Sequence, residues 1–113
     1  MNNTEQEEIP KYSIFITTTY KKEYKKFSNQ EAKKKAIKEI IKILMYKGTE
    51  GIPKKNLPHL LTGNYKGCWE CHIESDLLLI WEQNDENMAI ILQRIGSHSE
   101  LFYKNTSSFS TEK

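Results

Sequence analysis

The spacing of apolar residues changes along this chain, from a helical period in the first half to a strand period in the second. A β-branched and aromatic run, Tyr12–Thr18 (YSIFITT), predicts a short strand. The lysine-rich segment Tyr20–Phe27 predicts a short helix, and Ser28 or Asn29 is placed to cap the next one. From Glu31 to Tyr46, Ala32, Ala36, Ile37, Ile40, Ile41, Ile43, Leu44 and Met45 form a broad helical stripe. Gly48 can end that helix, and Pro53 bars its return.

The second half reads with period two. Lys66–Ile73 puts Trp69, Cys71 and Ile73 on one strand face and Glu70, His72 and Glu74 on the other. Glu74–Asp76 is a hairpin turn, Leu77–Trp81 a buried strand, Asn84–Asn87 a second turn and Met88–Ile95 a further strand broken by Gly96. Ser97 and Glu100 then match a capping box opening a short helix through Leu101, Phe102 and Tyr103. The expected fold is α+β, a small antiparallel sheet with two N-terminal helices packed on it.

Residues 11–104 form the expected single domain, between flexible polar tails at 1–10 and 105–113. No run approaches the roughly 20 apolar residues of a membrane span, and the acidic start MNNTEQEEIP is no secretory signal. A cytoplasmic protein with no membrane partner is the expectation. Net charge is +2, but Lys11–Lys104 holds 16 Lys and Arg against 11 Asp and Glu, an excess that suits a phosphate backbone. The lysines of 20–42 read equally well as a solvated helix face and as diffuse contacts to RNA.

The chemistry concentrates in the second half. His59, His72 and His98 each sit beside a break or turn, Asp76 follows His72, and Arg94 ends the last strand. A sheet can gather such strand ends on one rim. Metal-free cleavage of RNA needs a base for the 2′-hydroxyl, an acid for the departing 5′-oxygen and a cation for the phosphoryl oxygens. Histidines, a carboxylate and an arginine match those needs.

At these residues the chain resembles the YafQ branch of the RelE/ParE toxin superfamily, the ribosome-dependent mRNA interferases of type II toxin–antitoxin systems. The likeness rests on PHLLTGNYKGCWECHIESDLLLIW followed by RIGSHSELF. His59 precedes Gly63 by four, His72 and Asp76 form His-x-x-x-Asp, and Arg94–His98 forms Arg-x-Gly-x-His before Leu101-Phe102. The resemblance covers roughly Tyr12–Tyr103. It departs at Leu77, where the branch often carries Trp; Trp81 or Tyr65 could supply that stacking contact. It implies that His59, His72, Asp76 and His98 are catalytic, and that Arg94, Phe102 and Lys66 bind substrate. It further implies no cofactor or metal, and partners comprising the ribosome, mRNA and a cognate antitoxin, with no DNA bound by the toxin alone. Within that reading His98 donates to the 5′-oxygen, Asp76 or His59 acts toward the 2′-hydroxyl, and His72 positions the phosphate.

Other readings weigh against parts of this. Cys68-Trp69-Glu70-Cys71-His72 spells the c-type haem signature, but the acidic start does not read as the leader it needs, and a strand sends residues three apart to opposite faces. The same geometry disfavours zinc on both thiols, which are better read as small half-buried side chains. Each histidine alone could be structural, and Arg94 could pair with Asp76 or Glu70. The alternative function is a catalytically inactive toxin-fold module that binds RNA or protein.

Overall fold

A helix with one apolar stripe needs a surface on which to bury it. The computed structural model describes residues 9–104 and supplies that surface as a five-stranded sheet. The chain runs β1 (Ser13–Ile16), α1 (Thr18–Tyr24), α2 (Glu31–Lys47), β2 (His59–Leu60), β3 (Trp69–Glu74), β4 (Leu77–Asn84) and β5 (Ala89–Gly96). A π-helical turn, Ser99–Lys104, closes the described segment. The expected terminal tails lie outside the described residues, apart from Ile9 and Pro10. Among the described residues, no helix is long and apolar enough to cross a membrane.

Spatial order in the sheet is β1-β5-β4-β3-β2. The meander β2 to β5 is antiparallel, as its turn signals imply, while β1 pairs parallel with β5 and makes the sheet mixed. The intervening helices and strands supply the long connection that a parallel pair demands. The fold is α+β as expected. Ile37, Ile40 and Leu44 of α2 meet Cys71, Leu79, Trp81, Ile90 and Leu92 in the main core. Trp69 and Ile73 pack against the same core, so the alternation read along β3 is realised.

Local details differ where short-range signals compete. Neither Ser28 nor Asn29 caps α2: a 3₁₀ turn, Lys25–Phe27, carries the helical backbone on through Ser28, and Gln30 becomes the N-cap without a side-chain bond. β3 begins at Trp69 instead of Lys66. The turn Gly63–Tyr65 and Gly67, with φ +92°, hold the preceding residues out of the strand.

The far end of α2 is tied to the sheet by polar groups. The Trp81 indole donates to Thr49 Oγ1 at 2.9 Å, and the Thr49 amide and hydroxyl both donate to Gln83 Oε1. Tyr12 closes this network by donating to Asp85 at 2.7 Å. That bond to Asp85, then burial, pushes the phenol up to about 12.

Gly48 makes this junction possible. It sits at φ +77° and ψ −171°, a region nearly reserved for glycine. A Cβ there would lie 2.7 Å from Tyr12 Cε2. Gly48→Ala should therefore lower unfolding free energy by about 1–3 kcal/mol, read as a lower urea midpoint at unchanged m-value. An unchanged midpoint would contradict this account of the junction.

Candidate active site

The second face of the sheet is built from residues between the core positions. Leu78 and Ile80 of β4 are buried there with Leu101, and Leu61, Tyr65, Cys68 and Phe102 pack around them. The terminal turn is held by the expected capping box. The Ser97 amide donates to Glu100 Oε1 at 2.9 Å, and the Glu100 amide donates to Ser97 Oγ at 3.2 Å. That Ser97 amide, helped by Lys26, holds the Glu100 carboxyl below its ordinary value against the opposing effect of burial. The two cysteines lie in different clusters, Cys71 in the main core and Cys68 on the second face. Burial, followed by the charge of Glu70, pushes the Cys71 thiol up to about 12.

Asp76 lies in the β3–β4 turn, and its Oδ1 accepts the His98 backbone amide at 2.9 Å. This bond joins two members of the expected constellation across 22 residues. His59, on β2, stands directly opposite Glu70 on β3. Its Nε2 lies 3.1 Å from Glu70 Oε1, and its Nδ1 lies 2.9 Å from the carbonyl oxygen of Leu57. His72 Nδ1 faces the Ser75 carbonyl at 3.4 Å. His72 also lines a groove of about 670 Å³ between α2, Asn56, Leu57 and the end of β3.

Glu70, which pairs with His59, is the member of this candidate site that sequence reasoning missed. Its side chain is only 5% exposed, and among the described residues Oε2 is buried without a hydrogen-bond partner. Burial pushes this carboxyl above its ordinary value of 4.5, while His59, His72 and His98 pull it back without cancelling the shift. All three imidazoles therefore lie within electrostatic reach of one carboxylate. The available signal was its place two residues before His72 on the same strand face.

Arg94 is buried, and its partner corrects an expectation. It pairs with Glu23 of α1, not with Asp76 or Glu70. β5 runs past the end of β1, and α1 packs along that open edge. There Glu23 accepts two bonds of 3.0 Å from Arg94 Nε and one of 3.0 Å from the Ile95 amide. Burial opposes the Arg94 charge, but the bonds and charge of Glu23, with Tyr65, outweigh it and raise the guanidinium above its ordinary value. Arg94 Nη1 also donates to the Tyr65 hydroxyl. Tyr65 meets Phe102 edge-on at 6.1 Å between centroids, and Phe102 lies 5.0 Å from the His98 ring. The expected substrate-binding residues Arg94 and Phe102 thus stand in one ladder with His98. Lys66 is exposed at the end of the Gly63–Tyr65 turn. Among the described residues, no three His, Cys, Asp or Glu side chains are grouped to hold a metal ion.

Comparison with known proteins places these features in context. The sequence profile of a family described as a bacterial toxin of type II toxin–antitoxin system, YafQ, matches residues 12–103. A curated YafQ toxin of Haemophilus influenzae is 34% identical over 55 residues, covering 47% of this chain. The match spans about half (54%) of that relative's length. YafQ from E. coli strain BL21(DE3) superposes with a TM-score of 0.71 at 23% identity, covering 80% of this chain and 98% of that one, a likeness of fold alone. The toxin chain of the E. coli DinJ–YafQ toxin–antitoxin complex gives 0.69 at 26% identity, covering 81% and 98%.

Two stability measurements follow from the site's charges. Glu23→Ala leaves a buried guanidinium unpaired and should cost about 3 kcal/mol in urea unfolding, whereas a loss within experimental error would remove the pair's structural role. For Glu70 the native carboxyl binds its proton more tightly than the unfolded chain does, so stability falls as pH rises from 4.5 through the raised native value. Glu70→Gln should therefore gain on the wild type between acidic and neutral pH. A gap between the two proteins that does not vary with pH would refute the assignment.

Proposed function

This chain belongs to the YafQ family of bacterial toxins of type II toxin–antitoxin systems, and from that premise we propose that it is a ribosome-dependent mRNA endoribonuclease. The observation that carries the reading is that Asp76 accepts the His98 amide at 2.9 Å while His59, His72 and His98 all lie within electrostatic reach of Glu70, His59 at 3.1 Å. A pure binding module has no use for such a set of proton-transfer groups.

In the proposed reaction a base takes the 2′-hydroxyl proton, and the freed oxygen attacks the adjacent phosphorus. The bond to the 5′-oxygen breaks, that oxygen takes a proton, and a 2′,3′-cyclic phosphate remains. His98 donates the proton to the leaving oxygen, Asp76 or His59 acts on the 2′-hydroxyl, and His72 positions the phosphate. Arg94 is committed to Glu23, so its contribution runs through Tyr65. Tyr65 and Phe102 together offer aromatic surface to a base. Lys66 reaches the RNA backbone from the rim of the site.

Ribosome binding would draw on the basic helices. Lys26, Lys33 and Lys34 are already engaged by Glu100, Glu74 and Glu31. Lys21, Lys22, Lys25, Lys35, Lys38 and Lys42 are among the exposed positions and suit contacts to ribosomal RNA. The ribosome would supply part of the substrate geometry, so free RNA should be cut poorly. A cognate antitoxin is the expected protein partner, by analogy with the E. coli complex. The toxin acts in the cytoplasm, where ribosomes are.

The test is mapping of mRNA 5′ ends in a reconstituted translation reaction. Wild type should produce cuts that require the ribosome, and His98→Ala should reduce them at least about 100-fold. If neither protein cuts, the reading as a binding module replaces this one.

A further inference from the structure

The surroundings of His59 constrain what its ring can do. The Leu57 carbonyl can only accept, so the 2.9 Å contact requires a hydrogen on Nδ1. Leu57 holds a left-handed conformation, φ 54° and ψ 51°, that is uncommon for leucine. On the other side, Nε2 lies 3.1 Å from Glu70 Oε1. A hydrogen must lie along that line too, on the imidazole or on the carboxyl, for the contact to be attractive. Neither nitrogen of His59 then offers a free lone pair.

Glu70 has no evident structural reason to be a carboxylate. Among the described residues its Oε2 is buried without a hydrogen-bond partner, a costly arrangement for a strand residue. The charged and titratable groups facing it come from three elements: His59 on β2, His72 on β3 and His98 beside the terminal turn. A buried carboxylate paired with His59, and within electrostatic reach of His72 and His98, marks a functional position.

We propose that Glu70 is a positioning residue of the site, fixing the His59 ring and keeping a hydrogen on the line to Nε2. The inference rests on the nuclease reading and sharpens it. His59 meets the RNA phosphate as a hydrogen-bonded group whose ring is held in one orientation and one tautomer. Glu70 does not touch the substrate. It acts through His59, much as an orienting carboxylate sets the tautomer of a histidine in other catalytic sites.

The test uses the full chain and the variants Glu70→Ala, Glu70→Gln and Glu70→Asp, read in two ways. The first is the ¹⁵N spectrum of the histidine rings in the free protein. Wild type should show His59 with Nδ1 protonated and no second neutral tautomer, and Glu70→Ala should show a mixture of tautomers. The second is cleavage on programmed ribosomes. Glu70→Ala should lose about 100-fold in kcat while binding ribosomes as wild type does, Glu70→Asp should recover part of the loss, and Glu70→Gln, whose amide N–H can donate to Nε2, should keep the wild-type tautomer and most of the activity. If the alanine variant fails to fold, Glu70→Leu, which keeps the volume and removes the hydrogen-bonding oxygens, decides both readings. Identical His59 ring spectra in wild type and the alanine or leucine variant, or undiminished cleavage by that variant, would overturn the proposal. Absence of cleavage by wild type would instead defeat the nuclease reading, leaving the ring spectra to decide the role of Glu70.

Discussion

A β-strand has two faces, and β3 commits them to opposite purposes. Trp69, Cys71 and Ile73 serve the core beneath α1 and α2, while Glu70 and His72 stand on the other face. The strand's register against β2 sets His59 opposite Glu70, and the tight turn into β4 brings Asp76 to the amide of His98. A slip of one residue would exchange the two faces, burying the titratable groups and exposing the tryptophan. The folding requirement and the placement of the site are therefore the same constraint.

Two carboxylates sit where the surroundings disfavour charge, and they differ in consequence. Glu23 is matched by a buried arginine and by the Ile95 amide, so its charge is answered on several sides. Glu70 has, among the described residues, a partner for one of its two oxygens. The first arrangement serves stability and passes order outward through Tyr65 and Phe102 to His98. The second weakens the native state as pH rises, an imbalance typical of sites where stability is exchanged for chemistry.

Much of this was legible in the residues. The alternation along β3, the helical stripe of α2 and the Ser97–Glu100 capping box each had a periodic or reciprocal signal, and each is present in the structure. What escaped had none. β2 is two residues long, below the reach of any pattern, and β1 beside β5 is a pairing between distant segments. The partner of Arg94 lay 71 residues away in a segment that reads as a lysine helix, although Glu23 was the one acid among its basic residues. Gln30 replaced Ser28 and Asn29 as the cap because a 3₁₀ turn consumed the residues with better capping chemistry. The histidines and Asp76 were visible as candidates, whereas Glu70, which pairs with His59, was not, because strand alternation marks a face and not a depth of burial.

The central claim is that one face of this sheet receives the RNA phosphate among its histidines. The most direct measurement is a cryo-electron microscopy structure of the protein on a ribosome whose mRNA carries a 2′-O-methyl group at the cut position, which blocks the attack. The account requires the scissile phosphate within hydrogen-bond reach of His98 and His72, with a base against Tyr65 or Phe102. An mRNA path that leaves this face empty and runs over the helices instead would contradict it.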